Sequence, residues 1–185
     1  MDEATFDEMP NGRNPASEGW FVLNLADAAA FRNEEKGGAV IPLEPRGGPF
    51  TDFGVNVHVV WPGEPNALYH SEGVREAFLV LSGECTLIVE EEERRMRQWD
   101  YFHCPAETRH VIVGAGDGPC AILMIGARPE VETLLYPASE VAAKYGASSA
   151  KETDEPDEAY ADWPGEYLPV RLAWPVGPDP RPDGL

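Results

Sequence analysis

An all-β sandwich or barrel is the fold class that the sequence predicts, and three observations carry it. Residues 53–127 break into short runs rich in β-branched, aromatic and aliphatic side chains, with turn signals between them at near-regular spacing. No part of that stretch sustains the period of an amphipathic helix. With 185 residues and 43% hydrophobic content, the chain suits one packed domain with extensions and is too apolar for wholesale disorder.

The elements follow in order. Residues 1–18 are rich in acids, Asn, Gly and Pro and read as a loose tail. The run WFVLNL (20–25) predicts a strand, and residues 27–32 a short helix that Asp27 can cap. Residues 33–49 hold four glycines and three prolines and are mostly connection, with AVIPL (39–43) as a short edge strand. Seven β-rich runs then succeed one another: FGVNVHVVW (53–61), EAFLVLS (76–82), CTLIVEE (85–91), ERRMRQW (93–99), YFHC (101–104), RHVIVG (109–114) and CAILMIG (120–126). Pro62-Gly63, Ser82-Gly83, Trp99-Asp100, Pro105-Ala106 and the segment 114–119 supply the turns. PASEVAAKY (137–145) reads as a helix with Ser139 near its start and Gly146 as its stop. Residues 164–185 hold six prolines and exclude regular helix or a central strand, while Trp163, Tyr167 and Trp174 predict that part of the tail packs against a barrel. The chain thus divides into an N-terminal tail with extension strands (1–52), a barrel core (53–127), and a C-terminal helix with a Pro-rich acidic tail (128–185).

Charge narrows the partners. Thirty-three acidic against fourteen basic residues give a net charge of −19, which repels phosphate backbones and anionic lipid heads. Nucleic-acid and membrane partners are therefore not expected, and the charge itself reads as a solubilising surface. There is no apolar run long enough for a membrane helix and no basic, apolar N-terminal leader, so a cytoplasmic location is expected. The three cysteines, Cys85, Cys104 and Cys120, have no paired spacing and read as buried free thiols.

The histidines carry the chemical signal. His70 stands in YHSEGVRE, where residues 70, 72 and 76 share parity. On an extended strand His70, Glu72 and Glu76 would leave one face together. His110 opens the apolar run RHVIV just after the turn CPAETR. Imidazoles with carboxylates from neighbouring strands make a divalent-metal site of mixed nitrogen and oxygen ligands, and a metal ion offsets the repulsion between two carboxylates aimed into one interior. Taken singly, each residue reads more readily as a solvated acid or a packed core histidine than as a ligand; their joint spacing shifts the balance toward the site. His58 and His103 are candidates for the wall of a substrate pocket. Cys104 reads as a small buried residue, since no basic partner in the sequence would activate its thiol. Arg75 and Arg109 have the opposite parity to the ligand positions and should point away, and Trp61, Phe78 and Tyr101 are barrel core by default.

These residues resemble the two motifs of the cupin family, G-x5-H-x-H-x3,4-E-x6-G and G-x5-P-x-G-x2-H-x3-N. Gly63 stands one residue further from His70 than the first pattern asks; His70 matches its first histidine, Glu76 its glutamate and Gly83 its closing glycine. Pro105 and His110 keep the proline-to-histidine spacing of the second. Glu72 replaces the second histidine, Trp99 and Glu107 replace two glycines, and Gly114 replaces the final asparagine. The chain also looks like a subgroup of bacterial single-domain cupins with His-x-Glu in the first motif and a His-Cys-Pro segment, here His103-Cys104-Pro105.

The resemblance implies a double-stranded β-helix, or jelly-roll barrel, with one divalent metal ion (Fe, Mn, Ni, Co or Zn) held by His70, Glu76 and His110, and by Glu72 in place of imidazole. It implies a metal-dependent enzyme, of oxygenase or isomerase type, acting on a small organic molecule in the barrel, with Glu72 as a fourth ligand or a general base. The alternatives are a non-catalytic small-molecule or metal-binding module and a structural barrel with a relict site. A homodimer is expected, because sheet edges need covering and the terminal extensions can pair with a second barrel.

Overall fold

Apolar runs, alternating over residues 53–60 and near-continuous in residues 76–82, 110–115 and 120–127, build the central strands. The computed structural model describes residues 1–130 and 133–175. Its strands are β1 (Phe6–Met9), β2 (Gly12–Pro15), β3 (Ala30–Asn33), β4 (Ala39–Pro42), β5 (Phe53–Val60), β6 (Ser71–Glu72), β7 (Glu76–Ser82), β8 (Glu84–Val89), β9 (Glu92–Arg97), β10 (Tyr101–Cys104), β11 (His110–Ala115), β12 (Cys120–Ala127), β13 (Leu134–Leu135) and β14 (Tyr167–Val170), with short helices α1 (Glu140–Ala143) and α2 (Pro156–Ala159). A seven-stranded sheet runs β10-β7-β12-β5-β4-β3-β14, and a three-stranded sheet runs β11-β8-β9. Every pairing in both is antiparallel.

Between the sheets lies one core. Phe78, Val80, Ile122 and Met124 from the large sheet pack on Cys85, Leu87, Met96 and Ile112 from the small one. The alternate residues face outward and are covered in turn. Val57, Val59, Ile41 and Ala121 on the large sheet pack under Leu23 and Leu25 from the N-terminal segment and Leu172 and Trp174 from the C-terminal one. Ile88, Val111 and Val113 on the small sheet pack under Ala142 and Ala147 beside α1. The continuous apolar run of β11 follows from this, because both of its faces are buried.

Several expectations outside the barrel are corrected by tertiary pairing. Residues 1–18 include a hairpin, β1 against β2. Residues 20–25 form no strand; Trp20 makes a single bridge to Glu3 while Leu23 and Leu25 serve as a lid on the large sheet. The expected helix at 27–32 is replaced by β3, since Ala30–Asn33 lies between β4 and β14. Consequently β4 is an interior strand and not an edge, and β14 is the edge that tolerates Pro169. The helix expected over 137–145 is one short turn, capped by Ser139 Oγ accepting from the Ala142 amide at 3.0 Å and closed by Gly146 at φ 64°. Trp61 and Phe78 are core, but Tyr101 is 61% exposed because its parity on β10 faces outward. All three cysteines are free and buried, as expected. Among the described residues no helix is long and apolar enough to cross a membrane.

The departures in the second motif have a backbone explanation. Trp99 and Glu107, standing at the pattern's glycine positions, keep positive φ values of 75° and 66°. A residue with a Cβ in that region costs about 1–2 kcal/mol, so the turns are retained at some expense. At Gly114 the reverse holds: a Cβ would lie 2.0 Å from the Trp61 carbonyl oxygen, which leaves no room for the pattern's asparagine.

Candidate metal centre

Two backbone hydrogen bonds create the site. The His70 amide donates to the His110 carbonyl at 3.1 Å and the His110 amide donates to the His70 carbonyl at 2.7 Å, so the loop before β6 is laced to the start of β11. The same loop is pinned further back, where the Ile112 amide donates to Asn66 Oδ1 at 2.9 Å and the Leu68 amide to the Tyr160 hydroxyl at 3.1 Å. The two imidazole centroids come to 4.9 Å apart. Glu76, first residue of β7, stands between Cys104 of β10 and Gly126 of β12. Glu72 sits on β6 opposite Leu134 of β13. The continuous strand assumed for His70, Glu72 and Glu76 does not exist: β6 ends at Glu72 and β7 begins at Glu76. Convergence arises from the His70–His110 bridge instead.

His70, Glu72, Glu76 and His110 all line one cavity of about 350 Å³. Each imidazole has its Nδ1 committed to a backbone carbonyl, His70 to Leu68 at 2.7 Å and His110 to Thr108 at 3.1 Å. That leaves each Nε2 facing a carboxylate, His70 toward Glu72 at 3.6 Å and His110 toward Glu76 at 3.5 Å. Glu76 Oε2 is buried with no hydrogen-bond partner in the protein. Two Nε2 lone pairs, fixed by carbonyls behind them, and an orphaned carboxylate oxygen are the donor chemistry a divalent cation needs, so the residues fit the metal that the family pattern implies.

Electrostatics without a metal divide the four into two pairs. Burial pulls the His70 imidazole down, but the Glu72 hydrogen bond, the Leu68 carbonyl and the charges of Glu72 and Glu76 outweigh it, and His70 ends above its ordinary value. Glu72 is held below the usual carboxylate range by its hydrogen bond to His70, against the effect of burial. Glu76 is pushed up to about 7 by burial and then by the charge of Glu72. His110 is driven down to about 4 by burial and then by the charge on His70.

A third donor lies behind His110. Cys104 Sγ is 3.5 Å from His110 Nδ1, and Glu76, Cys104 and His110 offer donor atoms all within 4.8 Å of one another. This cluster was not foreseen in the sequence; the signal is the β10–β7 register, which sets Cys104 opposite Glu76. Cys104 is 1% exposed, lies on the Nδ1 side of the ring and does not line the cavity, and burial raises its thiol to about 12. The neutral thiol therefore packs behind the histidine, where Phe78 and Phe102 also contact the ring.

Of the two pocket candidates, His58 lines the cavity and His103 does not. His103 is exposed, pairing with Ala77 on the outward face that also carries Tyr101. Arg75 and Arg109 are exposed and lie outside the cavity lining. Asn56, Tyr136 and Tyr160 join the lining without having been singled out in the sequence, since neither their spacing nor their residue type marks them.

Comparison with known proteins agrees with this architecture. Residues 56–126 match the family model described as Cupin_2, a cupin domain. No curated protein matches the sequence. Among solved structures, a sugar phosphate isomerase of the cupin superfamily from Silicibacter pomeroyi is similar at 20% identity and TM-score 0.55, over 84% of this chain and 98% of that one. The polyketide cyclase RemF from Streptomyces resistomycificus is similar at 15% identity and TM-score 0.53, over 62% of this chain and 84% of that one. By this match residues 56–126 form a cupin domain, and the two solved structures share the fold of the chain around it.

Proposed function

We propose that this chain holds one divalent metal ion through His70, Glu72, Glu76 and His110 and acts as a metal-dependent enzyme, of isomerase or oxygenase type, on a small organic molecule in the adjoining cavity. The observation that carries the reading is the buried, unpartnered Glu76 Oε2 facing an imidazole Nε2 whose ring is already fixed from behind. A bound divalent ion would supply Lewis acidity toward a substrate oxygen, and electron transfer as well if it is Fe, Mn, Ni or Co. The chain's own residues do the rest. Leu68 and Thr108 carbonyls hold the tautomers in which both Nε2 atoms are free of protons. Glu72, ionised and half-buried at the cavity wall, is placed to take a proton from a bound molecule when it is not ligating. Phe78 and Met124 keep one side of the cavity apolar and limit water.

The test is metal content per chain by elemental analysis, on wild type and on His110→Ala, purified without a metal-scavenging tag. Near one equivalent of a transition metal in wild type, lost in the variant, is the expected result. No metal in wild type, and no uptake on adding Fe, Mn, Ni, Co or Zn, would reject the metal-dependent enzyme and leave a metal-free binding barrel.

A further inference from the structure

The cavity has a second polar patch, on the same sheet as Glu76 but two strands away from it. Asn56 and His58 stand two residues apart on β5, so both leave the same face of the strand, and both line the cavity. Asn56 Oδ1 and His58 Nδ1 are buried and have no hydrogen-bond partner within the protein. Register places them well away from the metal ligands. Asn56 pairs with Met124, which pairs with Phe78, so β5 lies two strands from the β7 that carries Glu76. Two interstrand steps amount to ~10 Å. Between the two polar ends the wall is the apolar pair Met124 and Phe78.

Charge narrows what can lie across this span. Glu72 and Glu76 bring carboxylates to one end. Arg128 is the one Lys or Arg among the described residues lining the cavity, and it is committed: its guanidinium grips both oxygens of Glu44 at 2.6 and 3.2 Å. Glu44 is fixed in turn by the Phe50 and Val55 amides, each at 2.9 Å. His58 offers no positive charge either, since burial drives its imidazole down to about 4. Buried polar atoms without partners lower stability, and they persist in a native fold where something other than the fold uses them.

We propose that Asn56 and His58 form a second recognition point in this cavity, which takes an uncharged molecule bearing hydroxyl or carbonyl oxygens at both ends, a polyol or hydroxy-carbonyl compound of a few carbons, and rejects its phosphate esters. The proposal rests on the reading that this cavity is the ligand site, and it names the class of ligand. One end of such a molecule lies among the His and Glu donors; the other satisfies the amide and the neutral imidazole.

The experiment uses the full chain loaded with zinc, with D-ribulose and D-ribulose 5-phosphate as matched probes. Binding is followed on the His58 ring resonance by proton–carbon NMR, assigned by its loss in His58→Gln. D-ribulose is expected to shift that resonance saturably, and the phosphate ester to bind at least tenfold more weakly. Asn56→Leu is expected to lose at least tenfold in D-ribulose affinity, to keep its zinc, and to melt no lower than wild type, because the apolar replacement removes an unpartnered polar atom. Equal or tighter binding of the ester, no response to D-ribulose, or wild-type affinity in Asn56→Leu would each overturn the proposal. A lower melting temperature in Asn56→Leu would show the amide to be structural and would overturn it too. A wild-type chain that takes up no zinc fails the metal reading alone, and the preference for the neutral probe over its ester at His58 still decides this one.

Discussion

Replacing Glu76 by glutamine while the protein is kept metal-free tests the electrostatics of the site directly. In wild type, burial and the neighbouring Glu72 raise the Glu76 carboxyl from 4.5 to about 7. The side chain is only 12% exposed, so solvent screens this little. At about 1.36 kcal/mol per pH unit, the interval corresponds to about 3 kcal/mol of penalty on the ionised form. The sign follows from proton linkage. Below the unfolded value both states carry a neutral acid and nothing is lost; between pH 4.5 and about 7 the unfolded chain has given up the proton that the native state still holds, so stability falls across that interval and levels off above it. Glutamine is neutral throughout. Melting curves in chelator should therefore nearly coincide near pH 4.5, separate progressively up to about pH 7 and stay apart above it, with Glu76→Gln the more stable by about 2–3 kcal/mol, or about 5–10 °C for a chain of this size. The order should invert when metal is restored, because wild type gains binding free energy that the amide ligand forgoes. Parallel curves for wild type and variant across pH 4.5 to 8 in chelator would refute the account of Glu76 given above.

Three further outcomes are expected. Glu72→Gln should weaken metal affinity about tenfold or more in a competition titration; unchanged affinity would remove Glu72 from the ligand set and leave it the general-base role. Gly114→Asn, which restores the family pattern at that position, should destabilise by about 3 kcal/mol in denaturant unfolding, since its Cβ would fall 2.0 Å from the Trp61 carbonyl oxygen; a neutral effect would show that the β11 backbone yields. Cys104, with its thiol raised to about 12 and 1% exposed, should resist iodoacetamide at pH 8 in the folded chain and react once denatured. Rapid labelling of Cys104 in the native protein would contradict its placement behind His110.

The barrel strands were legible in the sequence because their signals are local. Alternation in β5, the short apolar run of β12 and turn residues such as Gly63 and Gly83 define those strands whatever lies across the sheet. The candidate ligand residues were legible for the same reason, through spacing within short motifs. Beyond those signals, partners decided. Residues 20–25 have the composition of a strand but no neighbouring edge to pair with, and they became a cover for the large sheet. Residues 30–33 pair with β4 and β14 and so extend that sheet, in place of the helix their local signals suggested. Outward parity on β10 removed His103 and Tyr101 from the interior, a choice that depends on which face of β7 meets the second sheet. The meeting of His70 with His110 across forty residues, the thiol of Cys104 behind it and the unpartnered Asn56 Oδ1 and His58 Nδ1 two strands from Glu76 are all consequences of register between strands distant in sequence. Residue type and spacing determined which side chains could bind a metal; only long-range pairing decided that their donor atoms share one cavity, because hydrogen-bond register between strands has no local code.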